Sequence, residues 1–177
     1  MNGQSLTHLN RTLIPISIEP FGRKHDRTGF VCGNTYIDAQ LQRSIIPLVE
    51  LNLSRAFVAA EPNSVKVLGF YAMHSHTIEP WKVPPQWESI ISDNNLGGIP
   101  AAYISLFATT ERCQGRGIGR LMMADALRRI KAASEALGTF AVVLDAADQK
   151  AFDFYSSIGF LSMEQNLRMF YLVAEIP

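Results

Sequence analysis

Residues 111–120 read ERCQGRGIGR: Glu111, Arg112, Cys113, Gln114, Gly115, Arg116, Gly117, Ile118, Gly119 and Arg120. Glycines alternate with other residues, and arginines stand among them. An apolar run, Ala101 to Ala108 (AAYISLFA), precedes the stretch and reads as a buried strand. A helical pattern follows, with Leu121, Met123, Leu127, Ile130 and Leu137 on one stripe and Gly138 as its stop. A turn between strand and helix presents the unpaired N–H groups and the positive dipole end of the helix to whatever lies in front. Such an end binds phosphate; glycines let the anion reach the backbone, and arginines add charge. The expected ligand is therefore a pyrophosphate held by Gln114, Gly115, Arg116, Gly117, Ile118, Gly119 and Arg120. The competing reading is a tight connection that holds nothing.

The spacing excludes two nucleotide motifs. A P-loop needs Lys-Ser or Lys-Thr after its glycine, and neither follows here. A dinucleotide G-x-G-x-x-G fails because Arg120 or Met122 stands at the sixth position. The pattern that is met is Q-x-x-G-x-G, by Gln114, Gly117 and Gly119. A second stretch, AFDFYSSIGF at residues 151–160, meets A-x-x-F-Y-x-x-x-G-F with Ala151, Phe154, Tyr155, Gly159 and Phe160.

On these two motifs the chain resembles the GNAT superfamily of acetyltransferases. The resemblance implies acetyl-CoA as cosubstrate, its pyrophosphate on the glycine loop, and no metal. It implies that Tyr155 is the general acid that protonates the departing thiolate, a task suited to a phenol of reference pKa about 10. It also places Phe107, Ala108 and Thr109 at the strand end whose backbone N–H groups hold the thioester. Asp148 stands where many relatives carry an asparagine that contacts the CoA arm, and reads equally as a helix N-cap. For Tyr155 the alternative is a packed helix tyrosine.

The remaining elements compose a mixed α/β fold. Leu13–Ile18 is a first strand, and Asn34–Ile46 a helix stopped by Pro47. Arg55–Ala60 and Val65–Ile78 form an antiparallel hairpin about the turn Glu61-Pro62-Asn63-Ser64. The stretch from Glu79 to Pro100 is loop-like, and Trp81 and Trp87 suggest that it packs down. Phe140–Leu144 is a central strand, Asp148–Ile158 a helix closed by Gly159, and Arg168–Ala174 a last strand. The expectation is one domain over residues 1–177, with a single sheet, antiparallel N-terminal strands and helices alongside. The GNAT resemblance adds a splayed strand pair.

The front half narrows the resemblance. Gly29-Phe30-Val31-Cys32-Gly33 with Ile37, Asp38 and Leu41, then Leu53-Ser54-Arg55-Ala56-Phe57-Val58, then Ile99-Pro100, are similar to the GNAT toxins of bacterial toxin–antitoxin pairs. That similarity implies acetylation of the α-amine of aminoacyl-tRNA, an antitoxin partner and a possible homodimer. An α-amine has a reference pKa near 8, so it loses its proton more readily than a lysine. His74 and His76 lie two apart on one strand, hence on one face, as a base, an acceptor contact or simply sheet residues.

Charge gives this reading its one opposing feature. Sixteen basic and sixteen acidic residues balance, whereas a tRNA-binding surface needs positive charge. Two local groups answer it in part: Arg23, Lys24 and Arg27, and then Arg112, Arg116, Arg120, Arg128, Arg129 and Lys131. A metabolic enzyme acetylating a small-molecule or protein amine is the alternative, and a CoA-sensing binding module the non-enzymatic one. Cys32 and Cys113 fit no disulfide or zinc pattern, the N-terminus lacks a signal-peptide core, and no apolar run is long enough for a membrane span. The expected location is the cytoplasm.

Overall fold

The computed structural model describes residues 15–79, 87, 91, 97–163 and 167–177. Among these, one seven-stranded sheet carries the order β1-β2-β3-β4-β5-β7-β6. Strands β1 (Ser17–Pro20), β2 (Arg55–Ala60), β3 (Gly69–Ile78) and β4 (Ile99–Thr109) pair antiparallel. β5 (Ala141–Asp145) runs parallel to β4, and β7 (Arg168–Leu172) runs antiparallel to β5 with the short β6 (Leu161–Ser162) at the edge.

Each face is covered by helices whose apolar residues dictate the packing. Helix α3 (Ile118–Ser134) and helix α4 (Gln149–Ser156) cover one face, where Ile118, Met122, Met123 and Tyr155 meet Val142, Leu144 and Met169. On the other face, α1 (Thr35–Ala39), a π-helical turn (Gln40–Ser44) and α2 (Ile45–Glu50) set Leu41 and Ile45 against Val58, Phe70 and Leu106. Asn34 caps α1 through its side-chain oxygen, which accepts from the N–H groups of Tyr36 and Ile37.

The feature that positions the site is where β4 and β5 part. Their ladder runs only from Ala101 opposite Ala141 to Ile104 opposite Leu144, yet β4 continues to Thr109. On the other side of β4 the register slips: Ala72 faces Leu106 and Met73 faces Ile104, which leaves Ser105 bulged. A bulge bends its strand and increases local twist, so β4 leaves its neighbour at this point.

Several sequence expectations need correction. Pro47 does not stop the first helical segment, which continues through α2 to Glu50. The π turn just before it bonds the N–H of Ile45 to the carbonyl of Gln40, and such a widened turn accommodates a proline ring that would clash in a regular helix. Leu121 and Leu137 are exposed, not core. The inward stripe of α3 is Ile118, Met122, Met123, Ala126, Leu127 and Ile130, and Leu137 falls beyond its end. β1 begins later than expected, with Leu13 and Ile14 outside the described residues. β3 begins at Gly69, and the residues before it turn to the segment after β1: the Asp26 N–H donates to Val65 O and the Val67 N–H to Asp26 O. β7 ends at Leu172, where the chain turns into a 3-10 segment, and β4 includes Pro100. Trp81 and most of the expected loop lie outside the described residues, but Trp87 packs edge-on against Phe140 at 5.7 Å.

One buried polar network ties α3 to the sheet. The Tyr71 hydroxyl donates to Asp125 at 2.6 Å, and Arg129 Nε donates to the same carboxylate oxygen at 2.8 Å while its guanidinium lies 4.0 Å over Phe57. Burial and then the Asp125 bond push the Tyr71 phenol up, so it stays protonated and keeps donating. Asp125→Ala leaves that hydroxyl buried without an acceptor. The expected cost is about 1–3 kcal/mol of folding stability, measured by urea denaturation, with Tyr71→Phe milder because it removes the donor as well.

Candidate active site

Beyond Thr109 the chain makes a 3-10 turn (Glu111–Cys113) and then the glycine stretch. Gly115 at φ +72° and Gly117 at φ +85° both occupy the left-handed region, and Gly117 is the N-cap of α3. At Gly117 nothing lies within 4 Å of where a Cβ would sit, so backbone conformation alone demands glycine there. Gly119 is glycine for a different reason. A Cβ would lie 3.3 Å from Phe154 Cζ and 3.9 Å from Phe107 Cε1, so its absence lets the helix start rest on those rings.

Those rings carry the loop to Tyr155. Phe107 and Phe154 lie 6.1 Å apart, and Tyr155 sits edge-on to both at 6.0 and 5.3 Å, with Phe160 behind at 5.9 Å. Tyr155 is buried, yet its hydroxyl makes no hydrogen bond to another described residue. Burial, and secondarily the Asp148 charge, push its phenol well above the ordinary tyrosine range. Asp148 itself caps α4, accepting from the Ala151 N–H at 2.8 Å.

At the strand end, Phe107, Ala108 and Thr109 pair with Tyr71, Phe70 and Gly69 of β3. The N–H of Thr110 points to β3's lead-in, donating to Leu68 O at 2.9 Å. Strand alternation then directs the Ala108 amide toward β3 as well, and turns the amides of Phe107 and Thr109 toward the edge that β5 has left.

The loop side chains divide in use. Gln114 Nε2 donates to Cys32 O at 2.9 Å and to Thr109 O at 3.4 Å, lashing the loop to the segment before α1. Arg120 donates to Ser157 Oγ at 2.8 Å, and Ile118 is buried beneath the helix start. Arg116 and Arg112 line a cleft of about 280 Å³ together with Lys66 and Glu61. The other expected cations are engaged locally: Arg23 with Glu50, Lys24 with Glu19, Arg27 with the carbonyls of Leu41 and Gln42. Arg128 and Arg129 meet Asp125, and Lys131 donates to Val173 O.

A cluster that sequence reading missed lies on the opposite face of the sheet. Arg168 holds Asp145 through two bonds of 2.7 and 2.9 Å, and the Tyr103 hydroxyl donates to the same carboxylate at 2.7 Å. Arg168 keeps the Asp145 carboxyl below its usual range, while burial and then Asp145 raise Tyr103 to about 12. His74 and His76 flank the Tyr103 ring at 5.3 and 5.2 Å. These residues come from four strands, and no spacing along the chain announces their meeting.

Comparison with known proteins bears on the family and the fold. A family model described as an acetyltransferase (GNAT) domain matches residues 89–171. Over 168 residues the chain is 32% identical to the probable toxin TacT of Sinorhizobium fredii, covering 90% of this chain and 92% of that one. The chain belongs to the GNAT acetyltransferases. This GNAT acetyltransferase is also 27% identical over 135 residues to a tRNA-acetylating toxin of Mycobacterium tuberculosis, covering 76% of this chain and 78% of the other. Its fold matches that of AtaT solved with acetyl-methionyl-tRNAfMet, with a TM-score of 0.82 at 23% identity, over 91% of this chain and 96% of that one. A mutant AtaT has also been solved with the C-terminus of the antitoxin AtaR, and AtaTR with acetyl-CoA. Among the described residues, no helix is long and apolar enough to cross a membrane, and no cluster of metal-binding side chains occurs.

Proposed function

We propose that this protein transfers the acetyl group of acetyl-CoA to the α-amine of an aminoacyl-tRNA and so blocks translation. The observation that carries the reading is a convergence. The left-handed glycine loop, the edge of β4 that β5 has left and the ring of Tyr155 are linked through Phe107, Phe154 and Gly119. The backbone of 115–119, helped by Arg116, is assigned the CoA pyrophosphate. Gln114 and Arg120 brace that loop rather than face the anion, since their side chains are bonded within the protein.

The chemistry follows from the remaining groups. The amides of Phe107 and Thr109 take the thioester oxygen, where negative charge grows as the amine adds. The C–S bond then breaks, and Tyr155 gives its proton to the sulfur of CoA. A raised phenol suits this role because it is fully protonated when the thiolate departs.

The acceptor rests on the tRNA-acetylating toxin and on AtaT with acetyl-methionyl-tRNAfMet, and the antitoxin partner on AtaT with AtaR; a homodimer, a cytoplasmic location and a single domain belong to the same proposal. One observation favours the alternative of a small or protein amine: most of the arginines expected to meet tRNA are bonded within the chain. Incubation with radiolabelled acetyl-CoA, charged tRNAs, cell proteins and free amines separates the readings. Label on charged tRNA, lost on base hydrolysis of the aminoacyl ester, is the expected result. Label on proteins or free amines alone overturns the acceptor, and acetyl-CoA binding with no transfer to any of them would indicate a sensing module.

A further inference from the structure

Tyr155 and Phe107 lie on the α3–α4 side of the sheet, so an amine that meets a thioester held beside them needs a way in from elsewhere. Where β4 parts from β5, the edge of β4 from Ser105 to Thr109 carries no ladder to β5. Leu106 and Ala108 point to the α1–α2 side, opposite to Tyr155 and Phe107. On that side, beginning at the bulged Ser105, lies a cleft of about 300 Å³. Its walls are mainly apolar, from Ile45, Leu48, Leu53 and Leu106, and His74 is the one imidazole that lines it.

The state of that imidazole follows from its partner. His74 Nδ1 lies 2.9 Å from the carbonyl oxygen of Ser75. A carbonyl oxygen only accepts, so Nδ1 carries the proton, and in the neutral ring Nε2 keeps its lone pair. No described residue bonds Nε2. His76, two residues on, lines a different cleft beside Glu79 and Arg168 and contributes its field to Asp145. The two histidines share a face but not a task.

We propose that His74 is the general base of the transfer, and that the cleft it lines seats an aminoacyl group with an apolar side chain. The proposal rests on the aminoacyl-tRNA reading above. The amine nitrogen bonds to the thioester carbon as its proton passes to His74 Nε2. The C–S bond breaks, and the CoA sulfur takes the proton of Tyr155 on the other face. Exchange with solvent returns a proton to Tyr155 and removes one from His74, which closes the cycle. The apolar walls bury the amino acid side chain and hold the amine at the strand edge.

The test uses the full chain in single-turnover assays with tRNAs charged with methionine, isoleucine, phenylalanine, glycine, lysine or aspartate. The apolar acceptors should react fastest; preference for glycine, lysine or aspartate, or equal rates, overturns the cleft assignment. His74→Ala should lower the transfer rate about a hundredfold with little change in apparent KM, the lower end of what a general base supplies. Added imidazole should restore part of that loss, since it replaces the missing base without refilling a packing role. His74→Gln should be equally slow and equally rescued, which guards against a folding defect in either variant. A rate within a few-fold of the parent, or a loss carried by KM alone with no imidazole rescue, overturns the base assignment. If the parent acetylates no charged tRNA, the acceptor reading fails by itself, and the His74 variants are then judged on whichever amine takes the label.

Discussion

Tyr155→Phe should lower kcat for acetyl transfer by about 10²- to 10⁴-fold, the usual contribution of a positioned general acid, while acetyl-CoA binds as before. The reason lies in what the substitution leaves alone. The ring keeps its contacts with Phe107, Phe154 and Phe160, and the hydroxyl makes no bond to a described residue that folding would miss. Stability should therefore hold or rise slightly, and calorimetric acetyl-CoA affinity should be unchanged. Expression of the parent should arrest bacterial growth, and expression of the variant should not. The phenol also sets a pH expectation. Because burial raises its pKa, the acid form persists through and above the ordinary tyrosine value near 10, so Tyr155 imposes no alkaline loss of activity below that pH. A variant that turns over at the parent rate would remove Tyr155 from the chemistry.

The glycine loop should fail in the opposite manner, in binding before chemistry. Gly117→Val forces a branched side chain into a φ of +85°, at a cost of about 1–2 kcal/mol. The site has open space for the new atoms, so the whole effect is on backbone shape. Gly119→Val pushes its Cβ toward Phe154 at 3.3 Å, and overpacking of this kind costs about 1–3 kcal/mol. With tenfold in affinity for about 1.4 kcal/mol, acetyl-CoA should bind roughly 5- to 30-fold more weakly to the first and up to about 100-fold to the second. Gly119→Val should also slow turnover at saturating acetyl-CoA, because the displaced Phe154 ring abuts Tyr155. Titration calorimetry and saturation kinetics read the two effects separately. Unchanged affinity in both variants would mean that this loop does not hold the cofactor.

Which of these residues could be found without coordinates depends on how local their physics is. The glycine loop and the A-x-x-F-Y-x-x-x-G-F stretch are contiguous, because backbone conformation and one helix face are decided within a few residues. Strands such as Arg55–Ala60 and the β2–β3 hairpin were equally legible for the same reason. Pro47 misled because the π turn that tolerates it depends on packing against the sheet. Leu121 and Leu137 misled because composition does not say which side of a helix, or which residue past its end, meets the core.

By itself the sequence determined a mixed α/β sheet, a glycine turn before a helix, and a tyrosine placed one strand later. Only the tertiary structure decided that Gln114 and Arg120 brace the loop, that β4 leaves β5 at the Ser105 bulge, and that Tyr103, Asp145 and Arg168 assemble on the far face. It also put His74 and His76 into separate clefts. The difference is one of range. Turns and helix faces answer to neighbours along the chain, whereas charges and clefts are made by residues that strand register alone brings side by side.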